Sequence, residues 1–308
     1  MSGRIEAFAP ATVANLGPGF DVLGMALAAP GDRVVARLAT DRGGVRIVEI
    51  RGDGGALPRE ATANTAGIAA AAVLRQAGVD AGVELSLDKG MPLGSGLGSS
   101  AASAAAAAFA VNQLIDSPFS PMELIEPCME AEAAVSGRHA DNVAPALLGG
   151  LVLVRSTDPL DVLALPVPKE LWVTVVTPAF ELPTRKARQA LPDRVPLQGM
   201  VRNTANIGGL VHALHTGDLA LLARCMVDDV VTPARAKLIP GCTQVIRAAL
   251  AAGALGSSIS GAGPSVFALG DPDNVSRIAA VMQEAFLEAG LTSSRVMGTA
   301  GCSGAKVV

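Results

Sequence analysis

The chain has 308 residues, half of them hydrophobic, enough for a large core and better suited to two domains than to one. A net charge of −4 gives no attraction to nucleic acid or to an anionic membrane surface. Arginine outnumbers lysine 19 to 5, yet no basic run exceeds two residues, so any role for an arginine must come from its own position.

From the N-terminus, MSGRIEAFAP lacks the apolar core of a signal peptide. Strand-like runs cover 4–9, 33–39 and 45–50. A helix is expected from Asn64 to Gln76, with Asn64 as its N-cap and Gly78 just past its end. A strand at 83–89 leads into PLGSGLGSS (92–100), and a helix follows Ser99. Segment 101–111 is the most lipid-like of the chain, far short of the roughly 20 residues that span a bilayer. Ser120-Pro121-Met122-Glu123 is a capping box with proline at the first helical position, and it opens a further helix. Strands are then expected at 150–155, 171–177, 265–270 and 294–300, and helices near 203–215, 218–228, 242–252 and 274–288. The two kinds of element mix without strict alternation, which indicates an α+β fold. The proline-rich segment DPLDVLALPVPKE (158–170) reads as a linker between domains at 1–165 and 166–308. Cys128, Cys225, Cys242 and Cys302 form no CxxC and no zinc spacing. They read as buried free thiols in a reducing compartment, and the protein is expected to be soluble and cytoplasmic. His212 and His215 lie three apart on a helical pattern, without a carboxylate or cysteine to complete a metal set.

The glycine–serine loop is the most informative local feature. It joins a strand to a helix, whose N-terminus carries unpaired N–H groups and partial positive charge. Pro92 and Leu93 lead in; Gly94, Gly96 and Gly98 let the backbone approach a ligand; Ser95 and Leu97 alternate with them. Ser99 and Ser100 can cap the helix or offer hydroxyls to phosphate or a metal ion. Together these describe a phosphate cradle, weighed against a plain glycine-rich connection. GxxxxGK[ST] is absent, and GxGxxG fails because Ser99 stands where its last glycine belongs.

PLGSGLGSSAA (92–102), through Ala101 and Ala102, resembles the ATP loop of the GHMP small-molecule kinases. APATVANLGPGFDVLGMAL (9–27) and SISGAGPSVFAL (258–269) resemble that family's first and third motifs, in the right order. Within the family, ANLGPGFDVLG, SGRHADNVAPALLGG (136–150), TRKARQALP (184–192) and ARAKLIPG (234–241) are similar to the branch that phosphorylates homoserine. The resemblance implies a two-domain architecture, an N-terminal ATP-binding domain and a C-terminal ferredoxin-like domain with the site between them. It implies ATP and Mg²⁺ as cofactors, L-homoserine as the small-molecule partner, and is compatible with a homodimer.

Carried over residue by residue, the resemblance assigns Arg188 and Arg235 to the substrate carboxylate, with Arg185 as a weaker substitute for Arg188. It assigns Asn15, Asp21 and His139 to the ammonium and hydroxyl end. Ser100, or its neighbour Ser99, and Glu132 in preference to Glu130 match the magnesium ligands, and Asn64 falls near the adenine pocket. Each residue has a structural reading beside this one: Asn15 and Asp21 as turn formers, Asn64 as a cap, the arginines as solvated surface. The proton acceptor stays open among Asp141 as a base, Asp21 as an orienting group aided by Asn142, and direct transfer to the phosphate.

Overall fold

The computed structural model describes residues 3–39, 43–135 and 137–308. Ser136, the first residue of the SGRHADN segment, lies outside them. The chain opens with β1 (Arg4–Ala14) antiparallel to β2 (Leu23–Leu38). The second half of β1, PATVA, is buried on both faces, so it lacks the alternation that marks a half-exposed strand. The sequence reading therefore ends this strand five residues early. β2 also begins before its expected start at 33, because LGMALAAPG carries small residues and a proline where β-branched ones would signal a strand.

β3 (Val45–Arg51) and β4 (Val83–Asp88) run parallel to each other, and β4 joins β2. α1 (Thr65–Ala77) lies between them in sequence, N-capped by Asn64 and closed by Gly78 in the left-handed region. α2 (Ser99–Leu114) packs against α1 and across β1 and β2. From Ala101 to Ala108 it is buried all round, as befits a central helix whose alanines let neighbours approach closely. The Ser120–Glu123 capping box forms, with Glu123 Oε2 accepting from Ser120 N (2.8 Å), but in a turn ahead of α3 (Ile125–Ala133). α4 (Val143–Leu148) and β5 (Leu151–Thr157) follow.

The expected linker is corrected here. β6 (Leu160–Leu165) occupies its first half and pairs antiparallel with β5, its DVLAL alternation outweighing the flanking prolines. β7 (Trp172–Pro178) starts the second sheet. Four helices come next: α5 (Thr184–Gln189), α6 (Leu197–Thr216), α7 (Leu219–Cys225) and α8 (Val231–Ala236). Then come α9 (Cys242–Ala251), β8 (Gly256–Ile259), β9 (Val266–Gly270), α10 (Val275–Glu288) and β10 (Ser293–Thr299). The sheet order β10-β7-β9-β8, antiparallel throughout, with α9 and α10 in a βαββαβ sequence, is the ferredoxin-like arrangement. Finally β11 (Lys306–Val307) returns to the free edge of β1.

Cys128, Cys225 and Cys242 are buried free thiols, whereas Cys302 is half-exposed. Among the described residues no helix is long and apolar enough to cross a membrane.

Candidate active site

Three distant segments meet and hold one another by backbone bonds. Thr12 N donates to Leu97 O (3.0 Å), Ser265 N to Ser95 O (3.1 Å), and Gly261 N to Ala14 O (3.2 Å). Ser260 Oγ donates to Gly96 O (2.7 Å). The loop's glycines owe their identity to this packing. Gly96, at φ 80°, has Ser260 O at 2.5 Å and Gly263 O at 2.7 Å from where a Cβ would stand. Gly98, at φ 67°, has Thr12 Oγ1 at 2.2 Å and Asn142 Oδ1 at 2.7 Å from the same point. Gly96 and Gly98 line the cavity, and their lack of a Cβ also makes room for the first and third motifs and for Asn142.

The loop and the start of α2 wall a cavity of about 530 Å³, within the size range of small-molecule sites. Gly94, Ser95, Gly96, Gly98, Ser99 and Ser100 line it, together with Glu132, Asn142 and Asn64. Pro92 lies on a neighbouring cavity, and Leu97, Ala101 and Ala102 are buried in the core, so these four shape the loop. Gly98 is the N-cap of α2 and no side chain caps the helix, a correction to the capping role expected of the serines. Ser99 Oγ is buried without a hydrogen-bond partner. Asn64 Oδ1 accepts from Ala66 N (3.1 Å) and its Nδ2 donates to Pro58 O (2.9 Å), so capping accounts for its side chain at the cavity wall.

Glu132 is buried at the cavity, while Glu130 points away into an ion pair with Arg75 (2.6 Å). Ser99, Ser100 and Glu132 form an all-oxygen donor set of the kind magnesium takes, with a buried hydroxyl left over to serve it. Among the described residues no group of three or more His, Cys, Asp or Glu could hold a metal ion. His215 Nδ1 lies 2.9 Å from Val211 O of its own helix.

The second half of the site gathers the charged residues. Asn15, Leu16 and Asp21 all adopt positive φ in the turn between β1 and β2. Asn15 Oδ1 accepts from Asp21 N (3.1 Å), and its Nδ2 donates to Gly261 O (2.9 Å), so it works as a turn former and a tie to the third motif. Asp21 accepts a two-pronged contact from Arg188 Nη1 (3.2 Å) and Nη2 (3.1 Å), with His139 Nδ1 at 3.6 Å. Arg235 is buried; its Nη1 donates to Gly261 O (2.8 Å) and its Nε to Ala187 O (3.3 Å). The Phe20 ring is shared by the two guanidinium groups, its centroid 5.5 Å from Arg188 and 5.1 Å from Arg235. Arg185 faces the loop cavity instead.

Asn142 joins the halves. It lines the cavity, accepts from Thr12 Oγ1 (2.7 Å), and its Nδ2 lies 3.4 Å from Asp141 Oδ1. Burial pushes the Asp141 carboxyl up to about 7, and the charges of Asp21 and Glu132 add to the shift. Burial lowers the His139 imidazole against the opposing pull of Asp21, and the two arginines lower it further, which favours its neutral form. Burial, then Arg188, brings Arg235 below the usual arginine value.

Sequence reasoning missed three features. Phe20 stands inside the first motif, but its ring contact depends on arginines some 170 and more positions away. Thr12 stands in the first motif, past the strand expected at 4–9, and nothing in the sequence gives it a partner. Lys89 donates to Asp32, to Ser103 Oγ (2.6 Å) and to Ser99 O (3.0 Å), a buried cluster under the loop that no spacing announces.

Comparison with known proteins gives the following. The family descriptions "GHMP kinases N terminal domain" and "GHMP kinases C terminal" match residues 64–150 and 210–288. A homoserine kinase of Chlorobium phaeobacteroides (strain BS1) is 43% identical over 317 residues, covering 99% of each protein. That of Arabidopsis thaliana is 47% identical over 293 residues, 93% of this chain and 79% of the plant protein. The crystal structure of homoserine kinase from Cytophaga hutchinsonii superposes with a TM-score of 0.97 at 47% identity, over 100% of this chain and 98% of that one.

Proposed function

The chain belongs to the GHMP kinase family and groups there with the homoserine kinases, and from that premise we propose how its site carries the reaction. It is an ATP-dependent phosphotransferase with an alcohol acceptor: ATP and L-homoserine give ADP and O-phospho-L-homoserine, a step of threonine synthesis. The observation that carries this reading is the meeting, at Asn142, of the glycine-loop cavity and a cluster with two arginines and an aspartate. A zwitterionic alcohol needs such a cluster, and a polyphosphate needs such a loop.

ATP lies along the loop, with its phosphates at the N-terminal amides of α2. Ser99, Ser100 and Glu132 are the groups that would hold magnesium, which supplies charge neutralisation at the phosphate oxygens. Arg188 and Arg235 bind the acceptor carboxylate, each held against the Phe20 ring. Asn15 holds the turn that presents Asp21, and Asp21 with His139 receives the ammonium and orients the hydroxyl. Asp141 is buried, with Asn142 Nδ2 3.4 Å from its Oδ1, so its role is to position Asn142 at the junction. The hydroxyl proton then passes to the phosphate, since a loose transition state asks little of a base. Residues 1–165 carry the nucleotide loop and 166–308 carry Arg188 and Arg235, with β11 returning to the first sheet.

A turnover assay with ATP across L-homoserine, L-serine, L-threonine and mevalonate tests the reading. L-Homoserine is expected to be the best acceptor, and Arg235→Ala is expected to lower its kcat/KM by roughly 30- to 1,000-fold with little change for ATP. A better acceptor without an ammonium group, such as mevalonate, would sink the assignment.

A further inference from the structure

Among the described residues, the charged side chains that line the nucleotide cavity are Lys89, Glu132, Glu181 and Arg185. Only one of them offers a positive charge that is not already spent. The ammonium of Lys89 donates to Asp32, Ser99 O and Ser103 Oγ, so its three hydrogens are used and its charge is cancelled by the buried carboxylate beside it. Glu132 and Glu181 repel a polyphosphate. The loop itself contributes backbone amides and hydroxyls but no cation. Arg185 is exposed at the cavity and has no ion pair or hydrogen bond from its guanidinium among the described residues.

Transfer of a phosphoryl group depends on neutralising charge at the phosphate oxygens, and most nucleotide loops bring a lysine or arginine for it. We propose that Arg185 is that cation here: its guanidinium binds the terminal phosphates of ATP in the loop cavity. The inference rests on reading this cavity as the ATP site. The fork of an arginine suits two oxygens of one phosphate, as a lysine in its place would not.

The position of Arg185 gives the contact a second consequence. α5 carries Arg185 toward the nucleotide and, three residues on, Arg188 toward Asp21. Its Ala187 carbonyl accepts from Arg235, and Leu182 N, just before the helix, donates to Gly94 O of the loop (3.4 Å). One short helix thus serves both substrates, and nucleotide binding at Arg185 steadies the arginines that receive the acceptor.

The test uses the full chain with Arg185→Gln and Arg185→Lys, and measures calorimetric affinity for the β,γ-imido analogue of ATP and for AMP, both with magnesium. Arg185→Gln should weaken the triphosphate analogue about 10- to 100-fold and leave AMP within about twofold, at unchanged Tm. Arg185→Lys should recover part of the loss, and the salt dependence of analogue binding should flatten in Arg185→Gln. An equal loss for both nucleotides, or no loss for the analogue, overturns the proposal. Wild-type protein that binds the analogue yet turns over no homoserine would refute the acceptor assignment and leave Arg185 standing. Failure of the wild type to bind the analogue refutes both.

Discussion

Asp141 sits in the site with almost no water, and two other carboxylates raise its proton affinity further, so its carboxyl titrates at about 7 against an ordinary value of 3.8. The folded protein therefore holds a proton that the unfolded chain has released over that interval. The stability this confers is complete below about 4 and is lost as pH rises through about 7, by on the order of a few kcal/mol. Asp141→Asn removes the titration. Urea denaturation in magnesium-free buffer should find the variant gaining on the wild type between pH 5 and pH 8, and parallel curves would mean that Asp141 is not held in the way described. At this scale the sequence was legible where a residue stands in a motif. Asp141 and Asn142 lie in HADN, and Arg235 in ARAKLIPG. Asp32 and Lys89 were not legible, because the pair spans 57 positions and each reads alone as a surface charge.

The glycine–serine loop behaves as a packed element, with its conformation fixed by neighbours on both flanks. If room for a ligand were the only reason for glycine at 96, Gly96→Val would weaken ATP binding and leave the fold intact. The geometry gives a different expectation, because any Cβ there meets the carbonyls of Ser260 and Gly263, and φ 80° strains a branched residue besides. Even Gly96→Ala should cost roughly 2–4 kcal/mol of stability without any nucleotide present, measured as a fall in denaturation midpoint with unchanged slope. A variant with wild-type stability and impaired ATP binding alone would restore the ligand-approach account. The long helices were legible from their caps and periodicity, as with Asn64 and Gly78 around α1. The six-residue helices α4, α5 and α8 were not, since they lack two full turns on which a period could be read. β6 was hidden because the prolines around it outweighed its alternation in the reading, though not in the fold.

The whole molecule closes on itself at its C-terminal strand. Gly150 N donates to Cys302 O (2.7 Å), Cys302 N to Ala26 O (3.1 Å), and β11 pairs with β1, covering an edge that would otherwise invite another strand. Removing residues 302–308 should lower Tm by several degrees and raise the tendency to self-associate, read by light scattering; an unchanged Tm would show that the returning strand is dispensable. The α+β class was legible from the mixed order of elements, but the return of the last strand was not, because KV is too short to carry a pattern. The bond between Ser260 and Gly96 has a bearing on how the protein is made. The two residues are 164 positions apart, so at roughly 5–20 residues per second the ribosome needs on the order of 10–30 s after finishing the loop before its partner emerges. Throughout that interval the nascent chain has no completed nucleotide pocket, and cellular ATP cannot steady it. Ligand rescue thus begins only once synthesis has passed the third motif, and defects in the first half must be borne by its own core or by chaperones.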